Sequence, residues 1–177
     1  MSFIRKATSG DIPQIAAIYE HILDREEQGP TATGWVRGVY PTKATALEAL
    51  KAGELFVLLE EDHVAAAGRI NQLQAPEYAQ ATWHYPHIPA EQIMVLHTLV
   101  VSPSFAGKGL GTTFVHFYEQ YAREQGCTCL RMDTNVKNTA ARKLYAHLGF
   151  QEAGIVDCIF NGIPDLQLVC LEKKLEG

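Results

Sequence analysis

The sequence predicts an α/β chain, a single domain in which one central mixed sheet (α+β in its strand arrangement) is flanked by helices. Three observations carry that reading. Short apolar runs of strand composition alternate with segments whose apolar residues recur at helical spacing. A glycine-rich loop joins one strand to the helix after it. The last two apolar runs flank Asn161-Gly162, a hairpin signal. No repeat, low-complexity stretch or linker interrupts residues 1–177, so they read as one domain.

The elements follow in chain order. Phe3–Lys6 is a short strand. Ile12, Ile15, Tyr19 and Ile22 mark a helical face that Asp11 and Pro13 start. A polar, Gly-containing stretch covers Gln28–Tyr40. A second helix is expected from Thr45 to Ala52, with Thr45 and Glu48 as a capping box and Gly53 as its stop. Leu55–Leu59 and Val64–Ile70 are strands joined at Glu61-Asp62. Between Gln72 and Gln92 the pattern weakens under Pro76, Pro86 and Pro89, with a short strand expected at Ala81–Tyr85. Ile93–Val101 is strand again. Leu110, Phe114, Phe117 and Tyr121 face one side of a helix that ends at Gly126. Cys129–Asp133 is a strand, Ala141, Leu144, Tyr145 and Leu148 mark a helix stopped by Gly149, and Ile155–Phe160 and Leu166–Leu171 form the hairpin. The order is β-α-α-β-β-β-α-β-α-β-β.

Composition narrows the function classes. The chain is 47% apolar and 20% charged with a net charge of −5, which is ordinary for a globular domain and argues against a dedicated nucleic-acid binder. No apolar run exceeds five residues, so no membrane span is expected. The first residues, Met1 to Lys6, lack a signal-peptide core, and the expected compartment is the cytoplasm. Cys127, Cys129, Cys158 and Cys170 read as reduced thiols among apolar residues. Cys127-Thr128-Cys129 lacks the spacer of zinc and redox pairs, and His84-Tyr85-Pro86-His87 has no further ligands beside it, so no metal is expected.

The loop "SPSFAGKGLGTT", Ser102–Thr113, carries Gly107, Gly109 and Gly111 between strand and helix. It is not a Walker A loop: Ser102 stands where the first glycine belongs, and Gly109 follows Lys108 in place of Ser or Thr. It is not a dinucleotide fingerprint either, because neither Gly107 nor Gly109 begins a Gly-x-Gly-x-x-Gly run. A strand end, close glycines and a helix start still gather free N–H groups and a positive dipole end, which suits a diphosphate. The alternative is a tight turn that uses glycine for backbone freedom alone.

About thirty residues beyond the loop comes "NTAARKLYAHLGF", Asn138–Phe150. With "LVVSPSFAGKGLG" it resembles the GCN5-related N-acetyltransferase (GNAT) family, and the element order resembles that family over almost the whole chain. The resemblance implies acetyl-CoA as cosubstrate and a primary amine, in a small molecule or at a peptide N-terminus, as acceptor. It implies that Leu99 and Val101 line the pantetheine arm. The amides of Gly107, Lys108, Gly109, Leu110, Gly111 and Thr112 would hold the pyrophosphate. Asn138 would bond the CoA arm, or cap its helix, or both. Ala106 departs from the family's usual Gln or Arg, and Lys108 is the cation left to replace it.

Direct transfer needs a neutral amine, a donor for the developing oxyanion and a proton for the departing thiolate. The resemblance makes Tyr145 the acid; its other reading is a core tyrosine. A backbone N–H of the Leu99–Val101 strand is the expected oxyanion donor. For the base, His97 has the near-neutral titration that suits proton removal, and Asp133 is the second candidate, directly or through water. Each also reads as a packing or turn residue. Trp35, Tyr40, Tyr78, Trp83, His84, Tyr85 and His87 fall in the variable segments, where they could box the acceptor or bury a homodimer interface. Two functional classes remain: a catalytic N-acetyltransferase, favoured by Tyr145, and an acyl-CoA-binding or regulatory module without turnover, favoured by Ala106.

Overall fold

The computed structural model describes residues 2–176. Strand β1 (Ser2–Lys6) pairs antiparallel with β2 (Leu55–Glu60). Between them lie helices α1 (Ile12–Gln28) and α2 (Lys43–Lys51). Asp11 fixes the entry to α1. Its carboxylate accepts from the Arg5 guanidinium at 2.7 and 3.1 Å and from the Thr8 N–H at 2.7 Å. The Arg5 hydrogen bonds hold its pKa below the ordinary aspartate value.

Helix α2 starts earlier than expected. Thr42 is its N-cap, and the Thr42 N–H donates to Thr45 Oγ1 at 3.0 Å. The reciprocal pair is therefore Thr42 and Thr45, and Glu48 has no capping role. Gly53 takes up φ +72° just past the helix end, as a glycine stop does.

Strand β3 (His63–Asn71) pairs with β2 and with β4 (Ile93–Val101), both antiparallel. Helix α3 (Leu110–Glu124) leads to β5 (Cys129–Asn135), α4 (Thr139–His147), β6 (Gln151–Phe160) and β7 (Ile163–Lys174). The sheet order is β1-β2-β3-β4-β5-β7-β6, and only β4 and β5 run parallel. At the β6–β7 turn, Asn161 and Gly162 both take positive φ, 53° and 80°, as a type I′ hairpin demands. The strand expected at Ala81–Tyr85 does not form. A 3-10 turn, Pro76–Gln80, leads into irregular chain there, and Thr82 N–H makes a bond of 2.8 Å to Ala153 O.

Period-two alternation explains the apolar run of β2. Phe56 and Leu58 face one core with α3, while Leu55, Val57 and Leu59 face another with α1 and α2. The first core also takes Leu96, Met132 and Tyr145. A third covers the opposite face of the C-terminal strands, where Tyr78 packs on Val95, Cys170 and Val156. There Glu172, fully buried, meets Arg131 at 3.0 Å and accepts the N–H groups of His84 at 2.8 Å and Tyr85 at 3.3 Å. Arg131 also stacks on the Trp83 ring, 4.1 Å from its centroid. This network pins residues 74–85 to the sheet. All four cysteines are free thiols, and burial pushes Cys129 and Cys170 up to about 12.

Candidate active site

The site begins where the sheet comes apart. Strands β4 and β5 pair only through Ile93, Val95 and the residue between them, against Cys129–Arg131. Beyond Val95, β4 follows β3, while β5 follows β7 as far as Asn135. The two strands therefore diverge into a wedge whose facing backbone groups lack strand partners. Tyr118 closes its apex, with its hydroxyl 2.7 Å from Met94 O and 3.0 Å from Arg131 O. A cavity of about 550 Å³ fills the wedge; Leu99, Val101, Gly111, Asp133, Asn138 and Tyr145 are among its walls.

A bulge sits on the β4 side. The register changes between Ala67↔Val100 and Arg69↔His97, so Thr98 and Leu99 together oppose Gly68. Thr98 has φ +51°, strained for a β-branched residue. Its Oγ1 is hydrogen-bonded to the Tyr40 hydroxyl. The bulge also resets the alternation: Val95 and His97 share a face, and after the extra residue it is Val100, not Leu99, that returns to that face and packs on α1 and α2.

At the mouth of the wedge, Gly107 and Gly109 take φ +80° and +71°, and a Cβ on either would meet nothing within 4 Å. Among the described residues, the N–H groups of Gly107, Lys108 and Gly109 have no backbone acceptor, and those of Leu110, Gly111 and Thr112 are in the unpaired first turn of α3. Six successive free donors at a helix N-terminus form an anion cradle. Lys108 stands over the Phe105 ring at 5.3 Å, and Ala106 is exposed. On the other wall, Asn138 Oδ1 accepts the Ala141 N–H at 3.1 Å and caps α4, which leaves its Nδ2 for a ligand.

The three titrating candidates line the wedge together. Tyr145 is buried, yet among the described residues no protein group hydrogen-bonds its hydroxyl. Burial first, then the nearby Asp133 charge, pushes its pKa up to about 12, so it is a protonated donor at neutral pH. Asp133 accepts the Tyr78 hydroxyl at 2.6 Å. Enclosure by protein, only partly offset by that bond, raises its pKa to about 6. His97 Nε2 lies 2.6 Å from Asn71 Oδ1, which also accepts the Leu73 N–H. The ring nitrogen is thus the donor. Burial and the neighbouring Arg69 lower the His97 pKa to about 4. The structure reverses the ordinary ranking: the carboxylate titrates near neutrality and the imidazole does not.

The aromatic residues divide. Trp35 and Tyr40 line the cavity, and Tyr78 reaches it through Asp133. Trp83 stacks on Arg131, while His84 and Tyr85 meet Glu172 through their backbone N–H groups; the exposed His84 has its ring Nε2 3.0 Å from Glu152 O. The loop bearing Trp35 and Tyr40 is held by Glu26, whose carboxylate accepts the N–H groups of Ala32, Thr33 and Gly34 at 3.0–3.2 Å. Sequence reasoning missed the Thr98 bulge, for which no residue type signals, and the Tyr78–Asp133 bond, whose partners are far apart in the chain.

A second chamber of about 410 Å³ adjoins the wedge. The two share Tyr40, Ala75, Pro76, His97, Thr98 and Asn161. Beyond the shared residues, its polar walls include Thr45, Glu48, Arg69, Asn71 and Gln74. Arg69 is already paired with Glu54, at 2.6 and 2.8 Å.

Comparison with known proteins bears on the family and the fold. Residues 16–150 match the acetyltransferase (GNAT) family. The uncharacterized N-acetyltransferase YhfO of Bacillus subtilis is 24% identical over 159 residues, 89% of this chain and 96% of that protein. The uncharacterized N-acetyltransferase MJ1207 of Methanocaldococcus jannaschii is 30% identical over 70 residues. That match covers 40% of this chain and about a third (31%) of the relative's own length. The fold resembles that of yncA from Salmonella typhimurium, solved with its cofactor acetyl-CoA. The TM-score is 0.72 at 20% identity, over 100% of this chain and 95% of that one.

Proposed function

The chain belongs to the acetyltransferase (GNAT) family, and from that premise we propose that it transfers the acetyl group of acetyl-CoA to a primary amine by direct attack in a ternary complex. The observation that carries this reading is the wedge between β4 and β5, with an anion cradle at its mouth and an unbonded tyrosine hydroxyl inside it. The cradle amides from Gly107 to Thr112 fit a diphosphate. The unpaired backbone of Leu99 and Val101 fits the amides of a pantetheine arm, as does Asn138 Nδ2. Six backbone donors supply what the family's usual Gln or Arg would add at Ala106.

The proton steps follow from the titration order. An acceptor amine arrives as an ammonium ion and must lose a proton before its nitrogen bonds to the thioester carbon. Asp133, with a pKa of about 6, is ionised at neutral pH and still basic enough to take that proton, directly or through water. His97 is the weaker base of the two. As a neutral ring held by Asn71, it keeps the acceptor side of the junction ordered. An N–H of the bulged Thr98–Leu99 segment stabilises the carbonyl oxygen as it gains charge. As the carbon–sulfur bond breaks, the Tyr145 hydroxyl gives its proton to the departing sulfur, and the second proton that the nitrogen sheds in becoming an amide returns the phenolate to its neutral form.

The test is release of the CoA thiol from acetyl-CoA over a panel of amines. Amine-dependent release supports transfer. Binding of acetyl-CoA without release from any amine would move the protein to the non-catalytic class.

A further inference from the structure

The residue behind Asp133 decides how that carboxyl is presented. Taking as given the reading of Asp133 as the base, we propose that Tyr78 is its positioning residue: the phenol fastens one carboxylate oxygen, Oδ2, and leaves Oδ1 facing the cavity to take the acceptor's proton.

Tyr78 is 2% exposed, and its hydroxyl has one hydrogen-bond partner among the described residues, Asp133 Oδ2 at 2.6 Å. A phenol at that depth has no water to turn to, so giving up the bond would leave a buried donor unmatched. Asp133 Oδ1 has no hydrogen bond among the described residues. Every enclosed side-chain oxygen there has one, so Oδ1 is the oxygen open to the cavity that Asp133 lines. The two oxygens of one carboxyl thus have different tasks, and the Tyr78 hydroxyl sets which is which.

Tyr78 is in turn held against the strand that carries Asp133. Its ring packs among Val95, Cys170 and Val156. Its carbonyl accepts the Trp83 Nε1–H at 2.8 Å, and the two rings lie 5.4 Å apart. Trp83 stacks on Arg131 of β5, and Arg131 is bound to the buried Glu172. Pairing with Cys170 of β7 fixes the backbone of Asp133. Strand, ring and hydroxyl therefore close a frame around the carboxyl, and little of its motion remains to be frozen when an amine binds.

The charges around Asp133 give the frame a measurable sign. Asp133 meets Glu77 as well as Tyr78 from the 3-10 turn, Tyr40 from the loop before α2, His97 from β4, Tyr145 from α4, Cys158 from β6 and Cys170 from β7. On its own strand Arg131 is matched by Glu172. Burial pushes the phenols and thiols up and His97 down to about 4, so these groups are neutral at pH 7. The Glu77 carboxylate is the charge that remains. One turn thus sets two opposed neighbours on the base: the Tyr78 hydroxyl favours its ionised form and Glu77 disfavours it.

The test follows the Asp133 carboxyl carbon by NMR through a pH series on the whole chain, beside kcat/KM for one amine. In the wild type both should turn near pH about 6. Tyr78→Phe keeps the ring and removes the donor, so both midpoints should move to higher pH. There kcat/KM should fall about tenfold at pH about 6 and less at pH about 8. Glu77→Gln should move both midpoints to lower pH. Val156→Ala loosens the packing on Tyr78 and leaves its hydroxyl; it should lower the melting temperature and move neither midpoint. A carboxyl midpoint that stays in place in Tyr78→Phe, or one that Val156→Ala moves as far, overturns the proposal. Should Tyr78→Phe not fold, the hydroxyl-bearing ring carbon of Tyr78 in the wild type reads the same bond. Its resonance should step near pH about 6 and lose that step in Asp133→Asn; a wild type without the step overturns the proposal. A carboxyl midpoint that moves while the kinetic limb stays would sink Asp133 as the base and leave the hold by Tyr78 standing.

Discussion

At the scale of single residues, the proposed chemistry rests on two groups, the Tyr145 hydroxyl and the Asp133 carboxyl. Tyr145→Phe removes a hydroxyl and keeps the ring that packs edge-on against Phe150, 5.9 Å between centroids. Its kcat should fall about 10²-fold or more, with acetyl-CoA affinity nearly unchanged. A full rate in that variant would remove Tyr145 from the mechanism. Asp133 makes a pH prediction with two readouts. As the base it must be ionised, so kcat/KM should rise through pH about 6 and the limb should vanish in Asp133→Asn. Acceptors of different pKa separate this from ionisation of the amine. A limb near 4 would return the role to His97. Stability should move the other way. The folded pKa of about 6 is above the ordinary 3.8. The carboxyl's contribution is therefore complete below pH about 4 and lost as pH rises through about 6. The melting temperature of Asp133→Asn, relative to wild type, should climb over that interval and then level off.

At the scale of elements, the site depends on how the loop before α2 is seated. Gly34 has φ +74°, and a Cβ there would come within 2.7 Å of Asn135 Nδ2 and 2.8 Å of Leu166 Cδ2. Gly34→Ala should cost about 1–3 kcal/mol in strain alone. That lowers the melting temperature by about 2–4 °C for each kcal/mol. Because Trp35 and Tyr40 follow in the same loop, KM for the amine should also rise. An unchanged melting curve and KM would mean that the loop does not brace the junction. The elements themselves were legible wherever periodicity was strong. The runs of β2 and β4, the α3 face and the Asn161-Gly162 turn appear where their patterns put them. The segment from Gln72 to Gln92 was not legible. Its fold comes from the buried Arg131–Glu172 pair, whose partners lie about forty residues apart and show no local pattern. The α2 start was misread because Thr42 and Thr45 cap as well as Thr45 and Glu48 could. Of the candidate site, the sequence listed Tyr145, Asp133, His97, Asn138 and Gly111, which line one cavity. Its titration order was not legible, because burial and the Arg69 field act only after folding.

At the scale of the whole molecule, the sheet is two halves joined by a short seam. β1 to β4 carry α1, α2 and α3, and β5 to β7 carry α4. Three residue pairs and the Tyr118 hydroxyl join β4 to β5 directly. A ligand lying in the wedge touches both halves at once and supplies bonds to the facing backbone that neither half makes alone. Acetyl-CoA should therefore stabilise the chain by mass action, about 2.7 kcal/mol at a hundredfold excess over Kd. For a chain of this length that is a rise of about 5–11 °C in melting temperature. Hydrogen exchange should localise the effect. Protection should grow at the cradle amides from Gly107 to Thr112 and along the unpaired side of Leu99 and Val101. It should stay constant at Val95, where β4 is already paired on both sides. A flat melting series up to millimolar acetyl-CoA would mean that the wedge does not receive this ligand. Protection spread evenly over the sheet would mean that the ligand tightens the fold without bridging the two halves.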